Sequence, residues 1–140
     1  MQVKEIMTRG VEVVYPDSNL QEAAEKMRTL DVGSLPVCDG ERVVGMITDR
    51  DITVRAVAKG QDPLNDQVRD VMTSGVIYCF EDQDIEEAAR TMENNQVRRL
   101  AVLDRDKHLV GIVSLGDIAV DTGDEQLAGD VVEKVSEPAS

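Results

Sequence analysis

Val3-Lys4-Glu5-Ile6-Met7-Thr8-Arg9-Gly10-Val11 and Val68-Arg69-Asp70-Val71-Met72-Thr73-Ser74-Gly75-Val76 are one phrase written twice, at an offset of 65, and five of the nine positions are identical. The likeness runs on through Glu22-Ala23-Ala24 on Glu87-Ala88-Ala89, Met27 on Met92, Val32 on Val97, Leu35 on Leu100, Val37 on Val102 and Asp39 on Asp104. In all, 14 of the 37 positions from 3 to 39 agree. The second copy then gains one residue. At an offset of 66, Val44-Gly45 meets Val110-Gly111 and Asp51-Ile52 meets Asp117-Ile118. Self-similarity of this kind marks two copies of one supersecondary unit, although two copies at this period are not a solenoid. Two such halves make a pseudo-two-fold pair.

The punctuation inside each copy predicts the same order of elements. A short strand is expected at Val11 to Tyr15 and at Val76 to Phe80. A helix follows, opened by Pro16-Asp17-Ser18 with Gln21 in one copy and by Asp84 with Glu87 in the other, both spaced like capping boxes. Leu20, Ala23, Ala24, Met27 and Leu30 share one helical face, as do Ile85, Ala88, Ala89 and Met92. Strands at Ser34 to Cys38 and Arg42 to Ile47 are joined by Asp39-Gly40, a tight-turn pair. Leu100 to Leu103 and Leu109 to Val113 are joined by Asp104-Arg105-Asp106-Lys107-His108. A closing helix begins near Thr48 to Asp51 and near Ser114 to Asp117. The unit is β-α-β-β-α, and the fold class is α/β in the broad sense (α+β). Residues 1–62 form repeat 1, 63–67 the linker at the end of the Lys59-to-Gln67 connection, 68–122 repeat 2, and 123–140 an acidic tail with Leu127, Val131 and Val135 at helical spacing.

Composition removes several classes of function. A chain of 140 residues with three aromatics and 41% hydrophobic residues builds an aliphatic core of one domain's size. Charge-free apolar runs such as Val43 to Ile47 reach only about five or six residues, far short of the ~20 needed for a membrane span. The opening residues do not read as a secretory signal, so a cytoplasmic location is expected. A net charge of −13 opposes binding to duplex DNA or an anionic membrane. Cys38 and Cys79 have no CxxC spacing and read as buried small hydrophobes. The chain has one His, no Ser–His–acid set and no Walker-type loop, so no enzyme is expected. The loop from Asp104 to His108 lacks the glycine of an EF-hand, having Leu109 at that position. No metal site is assigned, although Asp49 and Asp51 have the chemistry to bind Mg²⁺, alone or with a nucleotide.

Chemistry concentrates after each hairpin, in Thr48-Asp49-Arg50-Asp51 and Ser114-Leu115-Gly116-Asp117, both Ser/Thr-x-x-Asp. Helix capping alone accounts for a hydroxyl three residues before a carboxylate. The same geometry also offers N–H groups and a hydroxyl to a phosphate, with the Asp one turn inward to accept from ribose hydroxyls. Both readings stand at this stage.

The repeat, the Val-Met-Thr opening, Gly33-Ser34-Leu35-Pro36-Val37, the strand Val44-Gly45-Met46-Ile47 and the Thr48-x-x-Asp51 ending together resemble a cystathionine-β-synthase (CBS) domain pair over residues 1 to 122. The resemblance implies a regulatory module with two related clefts for AMP, ADP, ATP or another adenosyl ligand, acting on a partner protein in trans and forming a homodimer. It implies Asp51 and Asp117 as ribose acceptors, and Thr48 and Ser114 at phosphate. Arg50, beside Arg55 in the first copy, and Arg98 and Arg99 in the second, are the cations able to clamp phosphate. The base pockets would draw on Val11, Val13, Gly33, Leu35 and Pro36, and on Val76, Tyr78, Leu100 and Ala101. Ala101 departs from the proline kept at Pro36, and Asp49 sets a negative charge beside the first phosphate position, which favours the Ser114/Asp117 cleft. The competing expectations are a ligand-free dimerisation scaffold and a module for S-adenosylmethionine or NAD. No catalytic cofactor is expected.

Overall fold

The computed structural model describes residues 1–122. The acidic tail expected at 123–140 lies outside the described residues. The described residues divide into two compact units, one made of Glu12–Val76 and the other of Met1–Val11 with residues 77–122. This division is not that of the repeats. The opening phrase of each repeat packs in the unit built from the rest of the other.

In the unit Glu12–Val76, helix α1 (Leu20–Leu30) precedes an antiparallel hairpin of β1 (Ser34–Asp39) and β2 (Arg42–Thr48). Gly40, at φ 64°, takes the left-handed turn position of that hairpin. A single helical turn, α2 (Asp49–Asp51), continues as a π turn over Ile52–Ala56 and a 3-10 turn over Val57–Lys59. Val14, Leu20, Ala23, Met27, Leu35, Val37, Ile47 and Ala56 form the core, together with Val68 and Val71 from the second repeat's opening phrase. Fully burying one such aliphatic side chain contributes roughly 1.5–3 kcal/mol.

The second unit repeats the plan with β3 (Tyr78–Phe80), α3 (Ile85–Asn95), β4 (Arg99–Leu103), β5 (Leu109–Ser114) and α4 (Leu115–Thr122). Its sheet runs β3-β4-β5, parallel then antiparallel. Val3, Ile6 and Met7 of the first repeat's opening phrase join Cys79, Ala88, Met92, Leu100, Val113 and Ile118 in its core. Burial pushes the Cys38 thiol pKa up to about 11 and that of Cys79 up to about 12. Both are free thiols.

The Val-Gly pair of each hairpin now has a reason. A Cβ on Gly45 would stand 2.8 Å from the Thr73 carbonyl oxygen and 2.9 Å from Met72 Sδ; on Gly111 it would stand 2.8 Å from both Thr8 O and Met7 Sδ. The Met-Thr of one repeat crosses the glycine of the other. Backbone bonds fix the crossing: Met46 N–H donates to Thr73 O at 2.9 Å, and Thr8 N–H to Ile112 O at 2.8 Å.

Several expectations need correction. Residues 11–15 are not a strand: Val14 alone bridges Val37 in parallel, and its equivalent is confined to Tyr78–Phe80. The cap of α1 is Asn19, whose side chain accepts from Glu22 N–H at 2.8 Å. Ser18 Oγ instead accepts from Tyr15 N–H at 3.0 Å, tightening the preceding turn. Asp84 stands at the N-cap of α3 without a side-chain bond to it. On α1, Ala24 and Leu30 are exposed, because Leu20, Ala23 and Met27 alone cover the short strands beneath.

Candidate functional site

In the unit Glu12–Val76 the first and last residues of the hairpin, Ser34 and Thr48, pair across the sheet. That places the Thr48-x-x-Asp51 turn at the open end of the strands. Thr48 Oγ1 accepts from Asp51 N–H at 2.9 Å, and Asp51 Oδ2 accepts from Thr48 N–H at 3.1 Å. The capping box is complete. Asp51 is buried at 8% exposure; Thr73 Oγ1 reaches both its oxygens at 3.5 Å, and Arg55 Nε lies 3.7 Å from Oδ1. Both oxygens are thus engaged. Asp49 donates its N–H to Gly33 O at 2.9 Å and holds its carboxylate over Gly33, where a Cβ would lie 3.2 Å from Oδ2. Arg50 is exposed beside it.

The second unit has the same frame with different charges. Arg99 pairs with Ser114, and Tyr78 lies beside Ala101. Ser114 Oγ accepts from Asp117 N–H at 3.1 Å, and Asp117 Oδ2 accepts from Ser114 N–H at 2.9 Å. Among the described residues no donor reaches Asp117 Oδ1. Leu115 N–H donates to Arg98 O at 2.9 Å, so apolar Leu115 and cationic Arg98 stand where the first unit has Asp49 and Gly33. Arg98 and Arg99 are both exposed.

The base-pocket residues are divided. Leu35 and Leu100 sit in the hydrophobic cores at 2% and 1% exposure, their side chains packed among aliphatic neighbours. Pro36 and Ala101 are also buried. Val13 is half-buried, Gly33 exposed, and Tyr78 exposed with its ring edge-on to Phe80 at 5.5 Å. Val11 and Val76 are the last residues before the chain passes from one unit to the other. Sequence reasoning missed Thr73 as a partner of Asp51; its repetition in Val-Met-Thr was the available signal.

Ligand-type atoms of Asp104, Asp106 and His108 lie within 4.8 Å of one another. The loop itself uses Asp104: one oxygen accepts from the N–H groups of Asp106 and His108, both at 2.9 Å, and the other lies 3.5 Å from His108 Nδ1. This is an aspartate-stapled turn.

Two repeats built on one plan, each with a hairpin ending in a Ser/Thr-x-x-Asp box, define a paired module. The family model for the CBS domain matches residues 3–57 and 68–120, and the chain belongs to the CBS-domain family. It is 38% identical over 134 residues to the CBS domain-containing protein YhcV of Bacillus subtilis, covering 96% of this chain and 94% of that one. Among solved structures it resembles Hypoxic Response Protein I with two coordinated zinc ions (TM-score 0.77, 38% identity, 85% and 97% of the two chains). It also resembles CBSX2 in complex with AMP (0.75, 27%, 89% and 98%). A third likeness is the CBS domain pair of MJ0100 in complex with 5′-methylthioadenosine and S-adenosyl-L-methionine (0.75, 27%, 88% and 96%). No helix among the described residues is long and apolar enough to cross a membrane.

Proposed function

We propose that this chain is a non-catalytic regulatory module that binds an adenine nucleotide at its Ser114/Asp117 end and transmits the bound state to a partner protein. The observation that carries the reading is the asymmetry of the two aspartates. Asp117 keeps one carboxylate oxygen without a donor beside two exposed arginines, whereas both oxygens of Asp51 are taken up by Thr48, Thr73 and Arg55. A ribose diol needs an acceptor at Asp117, and phosphate needs Ser114 with Arg98 and Arg99. The complex of a related pair with AMP supports the ligand class. Regulation then follows by linkage: a ligand that favours one state of the module shifts the equilibrium its partner meets. Exposed Val54, Val57 and Val120 on the closing segments support a homodimer.

Thermal unfolding with AMP, ADP, ATP, NAD and S-adenosylmethionine is the test. A ligand at 100 times its Kd adds about 2.7 kcal/mol. An adenine nucleotide should raise the midpoint, and Asp117→Ala should remove that rise while Asp51→Ala leaves most of it. No rise with any of them favours a dimerisation scaffold, and a response to S-adenosylmethionine or NAD alone moves the reading to that adenosyl class.

A further inference from the structure

At the hairpin end of β1, the opposite end of the strand from Thr48 and Asp51, an open cleft of about 550 Å³ is lined by Tyr15, Pro16, Asp17, Cys38, Asp39 and Arg69. The repeat shows what such a cleft holds, because the second unit has the same place filled. The equivalence is residue for residue. Val14 bridges Val37 in parallel as Cys79 bridges Val102. Arg69 N–H donates to Pro16 O at 3.0 Å as Lys4 N–H does to Glu81 O at 2.9 Å. Ser18 Oγ receives Tyr15 N–H at 3.0 Å as Gln83 Oε1 receives Phe80 N–H at 2.7 Å. Tyr15 therefore stands in the place of Phe80, Asp17 of Asp82, Asp39 of Asp104 and Arg69 of Lys4.

In the second unit the longer hairpin delivers Arg105 to this place. Its guanidinium carbon lies 4.2 Å from the centroid of the Phe80 ring. Nε and Nη2 donate to the two oxygens of Asp82 at 2.9 and 2.7 Å. This pairs a cation–π contact with a bidentate fork, which suits Arg and not Lys. The first repeat, one residue shorter here, has Gly40 where the second has Arg105. Tyr15 is left 47% exposed, and among the described residues Asp17 has no ion pair. The charges show the same deficit: Asp82 is answered by Arg105 and Lys4, whereas Arg69 is the one cation among the residues lining the first unit's cleft.

We propose that the Tyr15/Asp17/Asp39 cleft is a docking site for an arginine side chain presented by a partner protein. The inference does not rest on the nucleotide reading, since it uses the opposite end of the sheet. A protein-borne arginine is favoured over the free amino acid because the cleft is open, whereas small-molecule sites bury most of their ligand. The net charge of −13 also steers basic surfaces toward this chain.

The experiment titrates the ¹⁵N-labelled full chain with acetyl-Gly-Arg-Gly-amide, its Lys counterpart and free L-arginine. The Arg peptide should give saturable amide shifts at Tyr15 to Ser18 and Cys38 to Glu41. Asp17→Asn, Tyr15→Ala, and the Lys peptide on the wild type should each weaken binding about tenfold. Arg105→Ala, which vacates the filled site, should create a second set of shifts at Phe80 to Gln83. The absence of saturable shifts around Tyr15 in the wild type, or an equal response to the Lys peptide, overturns the proposal. So does tighter binding of free arginine than of the blocked peptide, which makes the cleft a metabolite site.

Discussion

Asp51 and Asp117 occupy equivalent positions, and what surrounds each carboxylate differs. Asp51 is buried, bonded to Thr48 and Thr73 and close to Arg55. Asp51→Ala is expected to cost about 1–3 kcal/mol, through the lost cap and the partners left without an acceptor; Asp117→Ala should lie at the low end of that range. Urea unfolding of the two variants gives the comparison, and equal losses would remove the basis for treating them differently. The cysteines make a second residue-scale prediction. Their folded pKa values, about 11 for Cys38 and about 12 for Cys79, exceed the ordinary 9.0 because burial disfavours the thiolate. Their contribution to stability is therefore present below pH 9 and lost as pH rises from there through the folded values. Stability should fall along an alkaline limb that flattens in the Cys38→Ala/Cys79→Ala double variant. Labelling by thiol reagents at pH 8 should be slow until the chain unfolds; fast labelling of the folded protein would contradict the burial.

Elements that close on themselves were legible in the sequence, and elements completed from a distance were not. Helix α3 buries the four residues its spacing predicts, and both hairpins form at their turn residues, because i, i+3, i+4 faces and tight turns are local facts. The Ser/Thr-x-x-Asp boxes were legible for the same reason. Thr73 on Asp51 was not, being 22 residues away. The expected strand at 11–15 shrank to one bridge because period-two apolar residues also suit an extended connector. The cap of α1 was misplaced because Asp17, Ser18 and Asn19 are all capping residues, and only the turn held by Ser18 decides among them. The crossing of each glycine by the other repeat's Met-Thr yields a prediction at this scale. Gly45→Ala and Gly111→Ala put a methyl group 2.8 Å from a carbonyl oxygen, and each should cost about 1–3 kcal/mol by overpacking. Gly116→Ala is the control, since its Cβ would meet nothing nearer than 3.6 Å. Equal stability of all three variants would refute the crossing as the reason for the glycines.

At the scale of the whole molecule, each repeat lends its opening phrase to the other unit. Val3 and Val68, both at 0% exposure, should therefore act across the repeat boundary. Val3→Ala should lower stability by about 2 kcal/mol and raise hydrogen exchange first in β3, β4 and β5. Val68→Ala should do the same in β1 and β2. Exchange confined in each case to the mutated residue's own repeat would contradict the arrangement. The lending also sets an order in time. Val3, Ile6 and Met7 are synthesised about 110 residues before Val113 and Ile118, which share their core. At about 5–20 residues per second, that is an interval of roughly 5–20 s. The unit Glu12–Val76 has all its parts once Val76 is made, so it can close while the leading segment still waits. The segment carrying Val3, Ile6 and Met7 is packed long after it is made, and Lys4, Glu5 and Arg9 keep charges among its apolar residues until then.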